Sequence, residues 1–346
     1  MKVSLFDFDL PADRIAQSPA ERGSSRLLVL DRETGAISHR RFTDLPGLLR
    51  PGDVVVRNDV RVRHARLWAR DSSDRLTEIF LLEAVNDDPS RWTALARPGR
   101  RAKPGRRLAF PEGLSATVGA LGDGGRREVV FDRPVDDAYL ARCGSIPLPP
   151  YIRREAGAAD RDEDRAAYQT VFARQPLAVA APTAGLHFTS ALLEEIAERG
   201  VKVQDLTLAV GAGTFKPVTA DDTASHAMDA ERVWIPRETL DAAAAARSSG
   251  GRVVAIGTTV ARSLEAAARL GPADAAALPF STDLFITPGF EFRAIDALVT
   301  NFHLPRSTLL MLVCAFAGRE RVLAAYGEAI RDGYRFYSFG DAMLVV

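Results

Sequence analysis

Apolar residues fall along the chain in two textures, and each predicts a different kind of structure. Near the start, Leu27-Leu28-Val29-Leu30 runs into a polar turn at 31–35, and Pro51-Gly52-Asp53 leads into Val54-Val55-Val56, which stops at Arg57-Asn58-Asp59. Short continuous apolar runs bounded by turn residues predict buried strands. From about residue 62 short runs at 79–82, 92–95, 107–110, 116–118 and 129–131 alternate with Gly, Pro and Asp turns. Even spacing of short strands predicts a small antiparallel barrel or sandwich. It closes at the stiff segment Ile146-Pro147-Leu148-Pro149-Pro150-Tyr151.

Beyond that segment the rhythm is α/β. Thr189 is placed to cap a helix ending near Arg199, with Gly200 as its stop. Residues 201–210 alternate as a strand, and Arg252-Val253-Val254-Ala255-Ile256 is another. Gly257-Thr258-Thr259 then turns into an alanine-rich helix through Leu270, Ala297-Leu298-Val299 is a further strand, and helices are predicted at 307–317 and 319–331. A last strand is predicted within 336–344. The simplest architecture is a mixed-sheet α/β domain formed by both chain ends, 1–61 and 150–346, with an antiparallel β-rich domain inserted at 62–149.

Composition narrows the function classes. The chain has 346 residues, 47% hydrophobic and 26% charged, with 45 basic and 45 acidic side chains. Net charge is zero, so nucleic-acid contact requires a local basic patch. The two cysteines, Cys143 and Cys314, are far apart and have no metal-ligand spacing, which fits a reducing cytosol. Acids interrupt the N-terminal segment where a signal peptide needs an apolar run, and the longest apolar run, 309–317, is too short to span a bilayer. A cytoplasmic protein without a membrane partner is expected.

The most informative segment is Ala181-Pro182-Thr183-Ala184-Gly185-Leu186-His187-Phe188-Thr189, in which a His sits among hydroxyls and a Gly at a helix entrance. Such a loop suits holding a small polar ligand. Five other loops stand at strand ends. Gly211-Ala212-Gly213-Thr214-Phe215 pairs close-approach glycines with an aromatic face. Gly257-Thr258 occupies a strand-to-helix turn, where α/β proteins bind ligands. Asn58-Asp59-Val60-Arg61 offers an amide, a carboxylate and a guanidinium. His226-Ala227-Met228-Asp229-Ala230-Glu231 gathers acid–base groups, with no second cluster to complete a metal site. Thr300-Asn301-Phe302-His303 is a second histidine loop. On the β-rich insert, 97–107 holds Arg97, Arg100, Arg101, Lys103, Arg106 and Arg107 and no acid, a candidate phosphate contact. Taken singly, each feature is also what an ordinary turn, ion pair or solvated face would give. Together they point to an enzyme, without saying which. No P-loop, GxSxG elbow, HExxH or full dinucleotide fingerprint is present.

The order of these loops resembles one family, the S-adenosylmethionine:tRNA ribosyltransferase-isomerases of queuosine biosynthesis. The likeness is carried by Phe6-Asp7-Phe8-Asp9-Leu10-Pro11, Ser25-Arg26-Leu27-Leu28-Val29, Asn58-Asp59, Pro147-Leu148-Pro149-Pro150-Tyr151-Ile152, the 181–189 loop, Gly213-Thr214-Phe215, Gly257-Thr258-Thr259, Asn301-Phe302-His303-Leu304-Pro305 and 338–343. It covers almost the whole chain. The resemblance implies an inserted β-barrel. It also implies transfer and isomerisation of the ribosyl part of S-adenosylmethionine onto 7-aminomethyl-7-deazaguanine at the tRNA wobble position, giving epoxyqueuosine-tRNA, adenine and methionine. S-adenosylmethionine is then a consumed co-substrate, with no cofactor and no metal, and the protein is expected to be a monomer.

On this resemblance His187, His303, Glu231 and Asp341 are the candidates for proton transfer. Asn58, Asp59, Arg61, Thr183, Gly185, Gly211, Gly213, Thr214, Phe215, Gly257, Thr258 and Asn301 are the candidates for substrate binding, and the 97–107 cations for tRNA contact. Two departures stand out. The family carries Thr-Leu-His-Val-Gly where this chain has Thr207-Leu208-Ala209-Val210-Gly211, and a second His where it has Asp229. A diverged relative that binds without turnover is the alternative, unless His64 enters the same cleft to compensate.

Overall fold

A computed structural model of the chain describes residues 1–158, 160–211, 213, 218–277 and 279–346. In chain order the strands are β1 (Arg26–Leu30), β2 (Ile37–Arg41), β3 (Val54–Asn58), β4 (Val60–Val62), β5 (Arg66–Arg70), β6 (Leu76–Val85), β7 (Asp88–Arg97), β8 (Arg107–Ala109), β9 (Ser115–Leu121), β10 (Arg127–Phe131), β11 (Gln175–Ala178), β12 (Lys202–Leu208), β13 (Glu231–Trp234), β14 (Val253–Ile256), β15 (Phe280–Thr282), β16 (Ala297–Asn301) and β17 (Ala342–Val345). The helices are α1 (Leu45–Leu48), α2 (Asp137–Cys143), α3 (Asp162–Ala167), α4 (Ser190–Glu198), α5 (Arg237–Ser248), α6 (Thr258–Leu270), α7 (Pro272–Ala277), α8 (Thr308–Ala317) and α9 (Arg319–Arg331).

Among the described residues these strands form a mixed nine-stranded sheet in the order β15-β13-β12-β3-β14-β16-β17-β1-β2, a closed barrel β10-β7-β6-β5-β8-β9, and a parallel pair β11-β4. The fold is thus an α/β sheet unit drawn from both ends of the chain, with the antiparallel barrel strands lying between residues 66 and 131 of the sequence. Strands β3, β14 and β16 are buried at nearly every position, as central strands covered on both faces must be. One hydrophobic cluster packs α6, α8 and α9 against that sheet; a second, separate cluster fills the barrel.

Most predicted elements stand where the pattern puts them. Thr189 caps α4, its hydroxyl accepting the Leu192 N–H at 3.1 Å, and Gly200 follows at φ +78°. The predicted C-terminal strand starts only at Ala342. Residues before it turn, with Tyr337 at φ +72° and Gly340 N–H donating to Tyr337 O at 3.0 Å. Helix α5 carries no strong apolar stripe, burying only Thr239 and Ala246, and the periodicity gives no sign of it. No helix among the described residues is long and apolar enough to cross a membrane.

Candidate functional site

Strands β12, β3, β14 and β16 run parallel, so their carboxyl ends share one rim of the sheet. Loops that follow those ends converge there, the position where open α/β sheets bind ligands. At the β14–α6 turn Gly257 sits at φ +95° and donates its N–H to Val299 O at 2.8 Å. A side chain would be strained in that conformation, so the tight entry into α6 depends on glycine.

Three contiguous clefts open at this rim. The first is lined by Thr183, Gly257, Thr258, Asn301 and His303, with Tyr151, Tyr168 and Tyr337 as an aromatic wall. The second is lined by Gly213, His226, Asp229, Glu231, Thr258 and Arg262. The third separates barrel from sheet: Ala209, Gly211, Asp229 and Glu231 face Arg63, Trp92 and Arg126. Thr258 and Thr259 join the first two, Val210 joins the first to the third, and Glu231 and Asp229 join the second to the third. The second and third clefts therefore meet at Glu231 and Asp229.

Glu231 is nearly buried at the junction. Its Oε1 accepts the Gly211 N–H at 2.9 Å, and its other oxygen pairs with the guanidinium of Arg262, which is also buried. Burial pushes Arg262 down to about 10, still a full cation at neutral pH. Arg262 was not among the sequence candidates. Its signal is present: it is a cation in the middle of an alanine-rich helix, four residues after Thr258.

His303 lines the first cleft, and its Nε2 shares a 2.7 Å hydrogen bond with Thr300 Oγ1. Burial pushes it down to about 3, so the imidazole is neutral at physiological pH. His226 lies edge-on to Phe285 in the second cleft, with its pKa lowered by burial. From the barrel, Arg126 reaches Asp229 across the third cleft at 3.2 Å. With both side chains well exposed, this bridge contributes at most about 1 kcal/mol.

Other sequence candidates are placed away from the clefts. Asn58 is buried and commits its amide to β12, donating to Leu208 O at 3.1 Å and accepting from Leu208 N at 3.0 Å. Asp59 accepts from Thr207 Oγ1 at 2.6 Å and Arg174 Nε at 3.1 Å. Both tie the end of β3 to its neighbours. Arg61 is exposed on β4. Asp341 accepts the backbone N–H of Arg26 at 2.9 Å and of Arg335 at 2.8 Å, which braces the turn into β17 and takes up both carboxylate oxygens. Gly185 lets the 181–189 loop press on its neighbours: a Cβ there would come within 2.7 Å of Phe172 Cζ and 2.8 Å of Thr170 Cγ2.

His187 also departs from the expectation that it faces the ligand directly. It lines a cavity behind the loop with Arg22, Ser25 and Gly340, which borders the first cleft at Ser338, and its Nε2 lies 3.0 Å from Asn301 Nδ2. Thr214 and Phe215 lie outside the described residues. His64 does not compensate for the missing imidazoles. It stands beside Gly144, Asp160 and Arg165 and lines none of these clefts, whereas both departing positions, Ala209 and Asp229, do line the third.

The 97–107 run forms one edge of the barrel. Arg97, Arg100, Lys103 and Arg107 are exposed. Arg101 donates to Leu76 O at 2.6 Å and Arg106 lies 3.8 Å from Asp71, so these two also serve the barrel itself. Arg127 is buried beneath the run and donates to Gly99 O at 3.1 Å and Ala102 O, fixing the loop's shape. Among the described residues no group of three or more His, Cys, Asp or Glu is placed to hold a metal.

Known proteins match the chain over nearly its whole length. A model of the family described as queuosine biosynthesis protein matches residues 3–345. A protein of Heliobacterium modesticaldum is 50% identical over the whole of both chains, and one of an Anaeromyxobacter species is 52% identical, covering all of this chain and 99% of its own. Both are named S-adenosylmethionine:tRNA ribosyltransferase-isomerase. The crystal structure of an S-adenosylmethionine tRNA ribosyltransferase from Thermotoga maritima is 38% identical, covers 99% of this chain and all of its own, and superposes with a TM-score of 0.55.

Proposed function

This chain belongs to the queuosine biosynthesis family, and from that premise we propose that it is an S-adenosylmethionine:tRNA ribosyltransferase-isomerase. It moves the ribosyl part of S-adenosylmethionine onto 7-aminomethyl-7-deazaguanine in tRNA, rearranging it to the epoxycyclopentane of epoxyqueuosine and releasing adenine and methionine. One observation supports placing that chemistry at the sheet rim: Glu231 joins a cleft inside the α/β unit to a cleft shared with the barrel. A small nucleoside and a base carried on a large polymer can therefore approach one carboxylate from two sides.

The reaction asks for three proton movements. The sulfonium acidifies the adjacent C5′ hydrogen, which a base removes; the departing adenine takes up a proton; the attacking amine must be neutral. In this proposal Glu231, at the junction of the second and third clefts, is the proton acceptor, and neutral His303 lines the nucleoside side. Gly257 and Thr258 let the nucleoside approach the backbone at the start of α6, and Gly211 and Gly213 bound the path toward Glu231. S-adenosylmethionine is consumed as a substrate.

The direct assay is incubation with S-adenosylmethionine and tRNA bearing the deazaguanine precursor, with adenine and epoxyqueuosine followed by mass spectrometry. Both products are expected together. Binding of both substrates with neither product would instead establish a diverged, non-catalytic relative.

The exposed cations of the barrel edge are assigned to the tRNA backbone. Replacing Arg97, Arg100, Lys103 and Arg107 together by glutamine should weaken tRNA binding. The salt dependence of log K should flatten by about 0.7 for each phosphate no longer neutralised, and the KM for S-adenosylmethionine should not move. An unchanged salt slope in filter binding would remove the run from the tRNA interface.

A further inference from the structure

Two residues lining the first cleft, Tyr168 and Asn301, carry a buried polar atom with no hydrogen-bond partner among the described residues, and Asn301 Oδ1, on a residue only 2% exposed, is the one that can only accept. Its orientation is determined by its neighbours. Asn301 Nδ2 lies 3.1 Å from Tyr337 O, a carbonyl that can only accept, so this end of the amide must be the nitrogen. The same nitrogen lies 3.0 Å from His187 Nε2. Since the amide donates there, His187 Nε2 must present its lone pair. The ring proton then sits on Nδ1, which is 2.9 Å from Ser25 Oγ and donates to it. The Phe42 ring, 5.0 Å from the imidazole, helps hold its plane. Both amide hydrogens are thus committed to protein, and the oxygen is left unpartnered on a residue that lines the cleft with Gly257, Thr258 and His303.

We propose that Ser25 and His187 are positioning residues that lock Asn301 so that its Oδ1 accepts a hydrogen bond from a neutral N–H or O–H donor of the bound nucleoside. A buried acceptor without a partner is costly, and a ligand donor removes that cost on binding. This gives the family-like 181–189 loop a task distinct from proton transfer: His187 acts through Asn301 and touches no substrate. The inference rests on assigning the first cleft to S-adenosylmethionine. The donor is a ribose hydroxyl or exocyclic amine of that substrate, and the alternative source with the same chemistry is the tRNA base.

Glutamine and phenylalanine at position 187 separate the two roles. A glutamine amide oxygen takes the place of Nε2 as acceptor for Asn301, so His187→Gln should keep kcat and both KM values within roughly fivefold of the parent. His187→Phe removes the acceptor, and loss of one buried hydrogen bond should lower kcat/KM for S-adenosylmethionine by roughly 10- to 100-fold. Equal, large losses for both variants would overturn the proposal and make His187 a proton-transfer group. Two near-parental variants would also overturn it. Asn301→Ala should raise the KM for S-adenosylmethionine and leave that for tRNA unchanged; the reverse pattern identifies the tRNA base as donor.

The second readout needs no turnover. Nitrogen-15 spectra of the full-length protein with labelled histidine should show His187 neutral at pH 7, protonated on Nδ1 and bare on Nε2, and Ser25→Ala should disturb that tautomer. A proton on Nε2 in the parent protein would refute the locked orientation. If the parent neither binds S-adenosylmethionine nor releases adenine, the functional assignment fails, while the tautomer measurement still decides whether Asn301 is locked.

Discussion

Glu231→Gln should lower the rate of adenine release by about 10²- to 10⁴-fold, the usual contribution of a positioned general base, with little change in the KM of either substrate. The substitution keeps the side chain's size and shape but removes both proton acceptance and the charge that pairs with buried Arg262, so its stability is measured alongside its rate. Glutamine keeps the shape of the side chain and an oxygen for the Gly211 N–H, which Glu231 Oε1 now receives at 2.9 Å. The alternative is that Glu231 is a structural partner for Arg262 and a brace for the Gly211 turn. In that case turnover should fall only in proportion to any loss of folded protein. Thermal denaturation of the same preparation separates the two, because a folded variant with near-parental turnover removes Glu231 from the chemistry. Measuring kcat in a single-turnover format keeps slow product release from hiding the effect.

How far the sequence reveals this site depends on whether a feature is local. Val54-Val55-Val56 reads as a central strand because full burial on both faces leaves a continuous apolar run, and β3 is indeed buried there. Gly257 reads as a turn glycine because only a backbone requirement explains it at that junction. Direction is harder. Asn58 and Asp59 look like a polar pair offered at a strand end, yet their partners Leu208 and Thr207 lie about 150 positions away and turn them inward. The 181–189 loop is conspicuous, but one-dimensional spacing does not say which face of the loop His187 takes, and it takes the far one. Arg262 is the opposite case: it looks like one more charged residue on an alanine-rich helix until the fold places it against Glu231. The cluster is assembled where α6, which follows β14, meets the start of the antiparallel strand β13, and register between distant strands is not legible from local pattern.

Arg262→Met should destabilise the protein by about 3–5 kcal/mol, the usual effect of removing one partner from a buried ion pair. Arg262 and Glu231 are both more than nine-tenths buried, so water cannot replace the missing guanidinium. Methionine fills most of the arginine stem's volume, and the penalty therefore comes chiefly from the stranded carboxylate and not from a cavity. That cause makes a second, sharper expectation. In the double variant Glu231→Gln with Arg262→Met no charge is stranded, and most of the lost stability should return even though two residues are changed. Additive losses across the cycle, measured by equilibrium urea unfolding, would show that Arg262 supports α6 independently of Glu231. Recovery of stability without recovery of adenine release would separate the two jobs of the pair: the buried charge balance holds the junction of the clefts together, and the carboxylate within it carries the proton transfer.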